Sequence, residues 1–94
     1  MVCHCPSENT LQLRDSAVKN LNKMQIKNLE LRVRLPLETY SDDIKWCNGI
    51  IIGTTENFGN MAGLTKDFFE RTYYPCLESK QGLPCALYIR AGED

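Results

Sequence analysis

No stretch of this sequence stays apolar for the roughly 20 residues that a membrane-spanning helix needs. The amino end also lacks the basic segment followed by an apolar one that marks a secretory leader. Neither sign of charge is in excess: 11 Lys and Arg stand against 12 Asp and Glu, a net charge of -1, so no basic stripe exists to follow a phosphate backbone. The expectation is a cytoplasmic protein with neither nucleic acid nor membrane among its partners. The five cysteines (Cys3, Cys5, Cys47, Cys76 and Cys85) are odd in number and scattered, which makes no disulfide framework, and reduced thiols are expected. At 94 residues the chain is read as a single domain, 1–94, burying only about 60–65% of its unfolded surface.

What the sequence does hold is organised around residues 48–75, NGIIIGTTENFGNMAGLTKDFFERTYYP. Ile50, Ile51 and Ile52 run together without alternation, as in a strand covered on both faces within a parallel sheet. Glycines then punctuate a loop from Gly53 to Gly63. Beyond it Leu64, Phe68 and Thr72, with Phe69 and Tyr73, give a helical apolar face that Pro75 terminates.

The flanks repeat this alternation. Residues 1–5 form a strand stub, and Leu13, Ala17, Leu21 and Met24 then fall on one helical face, with Asn9 or Thr10 placed to cap it. Residues 29–35 alternate Leu, Val and Leu with Glu30, Arg32 and Arg34, predicting a charged edge strand that Pro36 ends. Ser41, Asp42 and Asp43 supply a cap and an acidic first turn for a short helix through Ile44 and Trp46. Gly82 and Pro84 make a turn before a fourth strand over 85–89. The order strand, helix, strand, helix, strand, helix, strand predicts an α/β fold with a doubly wound parallel sheet.

In such a sheet ligands sit beyond the carboxyl ends of the strands. G-x-G-x-x-G and G-x-x-x-x-G-K are both missing, so dinucleotide and P-loop chemistry is not expected. Acidic residues at the ends of the first and third strands, which a phospho-acceptor domain needs, are missing too. Present instead are Ser7, Asn9 and Thr10 after the first strand. They fit either an ordinary helix cap or an anion site built from hydroxyls and first-turn N–H groups. The loop at Phe58 and Gly59 and the Ala91-Gly92 end of the fourth strand share the same rim. A ligand with a phosphate and a flat ring system suits these three loops.

The order SENT, then GTTENFGNMAG, then LTKDFFERTYYP resembles the flavodoxin-like FMN proteins, specifically the FMN-dependent NAD(P)H:quinone oxidoreductases and FMN reductases. The resemblance implies strand order 2-1-3-4 in an incomplete flavodoxin-like sheet, with the fifth strand and its flanking helices missing beyond Asp94. It implies that Ser7, Asn9 and Thr10 bind the FMN phosphate, that Thr55, Glu56, Asn57, Phe58 and Gly59 line the ribityl chain and isoalloxazine, and that Ala91 and Gly92 approach the pyrimidine edge. NAD(P)H would be the co-substrate, a quinone-like small molecule the electron acceptor, and a homo-oligomer the assembly. No catalytic side chain is implied, because the flavin carries the electrons. The alternative is a non-enzymatic fragment or binding module that keeps the fold and associates through its exposed sheet edge.

Other residues receive plainer readings. Cys3, His4 and Cys5, with Cys85, are metal-ligand types, but neighbouring strand positions point to opposite faces and no metal site is expected. Trp46, Tyr73 and Tyr74 read as packing at helix ends. Lys66 and Arg71, like Asp67 and Glu70, read as a solvated helix face.

Overall fold

Parallel strands need a crossover between them, and this chain supplies helices for that purpose. The computed structural model describes residues 1–57, 60–76 and 82–91. β1 (Val2–Cys3) leads into α1 (Glu8–Lys23). A 3-10 turn (Pro36–Glu38) and the short α2 (Ser41–Trp46) precede β2 (Ile50–Asn57), and β3 (Asn60–Met61) and α3 (Gly63–Cys76) precede β4 (Cys85–Arg90). β2 pairs in parallel with β1, Val2 opposite Ile52 and Cys3 opposite Gly53. On its other side it pairs in parallel with β4, in unbroken register from Ile50–Cys85 to Thr55–Arg90. The molecule is α/β, with a three-strand parallel sheet. β3 folds back antiparallel on the end of β2, Glu56 opposite Met61.

Residues in register share a face, so Val2, Ile52 and Leu87 form one row and Cys3, Gly53 and Tyr88 the next. The first row meets α2 and α3 in a core of Val2, Ile44, Ile52 and Phe68, with Ile50 and Leu83 packed against it. Each fully buried aliphatic or Phe side chain there contributes about 1.5–3 kcal/mol.

Several sequence expectations change. The strand over 29–35 is reduced to one parallel bridge, Val2 to Arg34, with Arg34 N donating to Met1 O and Cys3 N to Arg34 O, each at 2.9 Å. The reason is its neighbour: β1 is two residues long and offers no more rungs. The inward face of α1 is set by Thr10, which is buried, with Leu11, Arg14, Ala17, Val18 and Leu21 half-buried, so Leu13 and Met24 are exposed. Of the three isoleucines only Ile52, at 3% exposure, is buried; Ile50 and Ile51 remain half-open. The loop expected from Gly53 begins later, because Thr54 and Thr55 continue β2 as β-branched partners of Ile89 and Arg90. Among the described side chains of α3 the buried positions are Thr65, Phe68 and Thr72, while Leu64 and Phe69 are exposed; the helix ends at Cys76, one residue past Pro75. Ser41 opens α2 rather than capping it. Asp43 Oδ2 reaches back to accept from Tyr40 N at 3.1 Å.

Arg71 departs furthest from its expected place on a solvated face. Its guanidinium donates to Thr39 O and Pro36 O, both at 2.7 Å, and to Asp67 Oδ2 at 2.7 Å. One side chain thus ties the turn before α2 to α3.

Candidate site at the carboxyl edge of the sheet

Because β1, β2 and β4 run parallel, the segments that follow them leave from one edge of the sheet. Ser7 follows β1, Thr55 to Asn57 end β2, and Ala91 follows Arg90, which is itself level with Thr55. The structure thus puts the described members of all three predicted groups on one rim. Phe58, Gly59 and Gly92 lie outside the described residues.

The first group is built by the helix cap. The cap is Ser7, not Asn9 or Thr10: its extended backbone (φ -139°) turns the chain into α1 and its Oγ accepts from Thr10 N at 3.3 Å. Thr10 Oγ1 returns the contact, accepting from Ser7 N at 3.0 Å and donating to Ser7 O at 2.8 Å. This reciprocal box satisfies first-turn donors within the loop. Thr10 is buried by it, while Ser7, Glu8 and Asn9 are exposed. Exposed at the positive end of this 16-residue helix are therefore Asn9 and Ser7, the latter with its Oγ engaged by Thr10. Glu8 is exposed too, its carboxylate placed in the first turn where the helix end favours negative charge.

At the end of β2, Thr55 is half-buried and Glu56 exposed, and Thr55 O accepts from Ala62 N at 3.1 Å, which holds the return strand in place. Thr54 turns inward, its Oγ1 2.9 Å from Thr65 Oγ1, so that each buried hydroxyl satisfies the other. Ala91 is exposed. Beside the rim an apolar groove of about 240 Å³ opens between α3 and β4, lined by Met61, Phe69, Leu87 and Ile89.

Three residues beneath this rim had escaped the sequence reading as a unit. Cys3, Gly53 and Tyr88 stand side by side across three strands, and the Tyr88 ring occupies the space where a Gly53 Cβ would be, 2.1 Å from its Cζ. The Tyr88 hydroxyl donates to Cys3 Sγ at 3.2 Å. A glycine inside an Ile- and Thr-rich strand was the available signal, since such a glycine marks a close approach. Burial, then the bond to Cys3, raises the Tyr88 phenol above its ordinary value of 10. The unfolded phenol loses its proton first, so stability falls as pH rises past about 10, and Tyr88→Phe should flatten that decline in urea midpoints measured across the alkaline range. Burial also pushes the Cys5 thiol up, with Cys3 adding to the effect, and lowers His4.

Comparison with protein-family models, curated proteins and solved structures returned no match. Among the described residues, no three His, Cys, Asp or Glu side chains cluster to hold a metal ion. Nor is any described helix long and apolar enough to cross a membrane.

Proposed function

We propose that the chain is a flavodoxin-like domain that binds FMN at the carboxyl edge of its sheet and serves NAD(P)H-dependent electron transfer in the cytoplasm. The supporting observation is the common rim: a capped helix end after β1, the end of β2, and Ala91 after β4. On this reading the segment bridged to β1 at Arg34 is the second strand, giving order 2-1-3-4. The donor set fits the group. Exposed Ser7 and Asn9, with the Glu8 and Asn9 N–H groups that the capping box does not use, can receive a phosphate dianion without a cationic side chain, as helix ends do. Thr55 to Gly59 would take the ribityl chain and ring, and Ala91 with Gly92 the pyrimidine edge. When bound, FMN supplies hydride chemistry between NAD(P)H and a quinone-like acceptor. The chain's own part is to bind and orient the cofactor, and Thr10 acts by fixing Ser7.

FMN titration followed by flavin fluorescence and thermal melting tests the proposal. Saturable quenching with a rise in Tm is expected, weakened about 10-fold by Ser7→Ala. That variant also loses a cap worth about 1 kcal/mol, so affinities are compared well below both melting points. No saturation up to roughly 100 Kd-equivalents of the expected micromolar range would end the FMN reading.

A second reading, a non-enzymatic module that pairs with another copy of itself through β4, is favoured by Leu87 and Ile89. They stand 55% and 56% exposed on a strand whose recorded pairing is with β2 alone among the described residues.

A further inference from the structure

The sheet has a second concave site at its opposite end. A cavity of about 600 Å³ opens at the amino ends of β2 and β4, with Ile50, Ile51 and Ala86 among its lining and Leu21, Leu31 and Trp46 around them. Its origin is visible in the packing. α1 is buried at Thr10 but only half-buried at Leu21, and the chain then turns away through Gln25 and Asn28, whose φ values of 50° and 62° lie in the left-handed region that side chains seldom adopt. The helix therefore leaves the amino end of its face of the sheet uncovered, which is why Ile51, on the face opposite Ile52, stays half-open.

We propose that this cavity binds an uncharged aromatic molecule against Trp46. Its size lies within the range of small-molecule sites, and its walls join aliphatic and indole surface to the Cys47 and Cys85 thiols, the Asn28 and Asn48 amides and Glu30. No Lys or Arg lines it; the one cationic group among its lining residues, the Met1 ammonium, is spent on Arg32 O at 2.6 Å and is pushed toward its neutral form by burial, and Glu30 adds negative charge, so the lining favours a neutral ligand over an anion. Trp46 is a prepared wall. Arg32, which is not part of the lining, stacks 3.8 Å from the indole centroid and is held there by Asp43 Oδ1 at 3.2 Å, fixing the ring before any ligand arrives. This site is separate from the carboxyl rim and does not depend on FMN.

Trp46 is the only tryptophan in the sequence, so its emission reports on this cavity directly. The test is titration with the uncharged fluorophore N-phenyl-1-naphthylamine, reading energy transfer from Trp46, beside the anionic 8-anilinonaphthalene-1-sulfonate. Saturable transfer is expected with the neutral probe, with at least ~10-fold weaker binding of the anion, a difference of about 1.4 kcal/mol. Gly49→Phe should abolish it. A Cβ at Gly49 meets only Pro84 O at 3.7 Å, an ordinary contact, so the position accepts a side chain that then fills the opening. Ala86→Phe, at an exposed strand position, blocks the same space from the other wall should Gly49→Phe fail to fold. Leu87→Gln with Ile89→Gln removes the apolar groove beside α3 and should leave the transfer intact. Absence of saturable transfer overturns the proposal, as does transfer that survives a folded blocking variant or vanishes in the groove variant.

Discussion

Replacing Gly53 with alanine is expected to cost about 2 kcal/mol, in the range of overpacking a filled interior. In a domain of this size that lowers Tm by roughly 10 °C. The new methyl carbon would lie 2.1–2.5 Å from three Tyr88 ring and hydroxyl atoms, and the ring is not free to step aside cheaply because its hydroxyl is bonded to Cys3. Moving it exposes ring surface and breaks that bond. The double-mutant cycle with Tyr88→Ala separates this cause from glycine's backbone freedom. Gly53→Ala should be far less costly once the ring is gone, with a coupling of about 1 kcal/mol or more in urea titrations. Equal cost in both backgrounds would show that the ring is not what excludes the methyl group.

Loss of the Arg71 guanidinium is expected to be larger, about 2–3 kcal/mol for Arg71→Ala. Two main-chain carbonyls, Pro36 O and Thr39 O, lose charged donors at residues that are both buried, and the Tyr40 ring, 5.7 Å away, loses the cation above it. Lysine keeps the charge but cannot place separate N–H groups on three acceptors at once, so Arg71→Lys should recover less than half of the loss. Asp67→Asn should cost under about 1 kcal/mol, because that carboxylate is partly in water. Thermal melts of the three variants give the ranking. A loss in Arg71→Ala no greater than in Asp67→Asn would reduce the residue to a surface ion pair.

These two residues also mark the limits of what could be read from the sequence. The alternation of strands and helices was legible because it rests on period and on local breakers: Ile50 to Ile52, Pro36, and the Gly-Leu-Pro turn before β4 all act where they stand. So did the rim, since consecutive parallel strands must end on one edge. Helix rotation was not legible. Leu13 and Leu64 have the hydropathy of buried residues, yet Thr10 and Thr65 take the inward positions, because hydroxyls partnered by Ser7 and Thr54 can be buried at little cost. Arg71 resembles any solvent-facing cation until residues more than 30 positions earlier bring their carbonyls to it. Tyr88 needed a glycine from another strand to reveal its place. The role of Ser7 was half visible: a capping residue was expected in that turn, but which one caps depends on the reciprocal bond from Thr10.

The bond from Tyr88 to Cys3 joins positions 85 residues apart. During synthesis β1 is made about 80 residues before β4, so Cys3 waits for its phenol until β4 has been translated. At about 5–20 residues per second that is a wait of several seconds. Through that interval Val2 has no Ile52 beside it and Cys3 no phenol, so an early native-like unit has only α1, a marginal helix by itself, to draw on. The late strand β4 therefore completes the surroundings of an early one from across β2. Ribosome-bound intermediates halted before residue 85 should leave Cys3 open to thiol reagents, and those carrying β4 free of the tunnel should protect it.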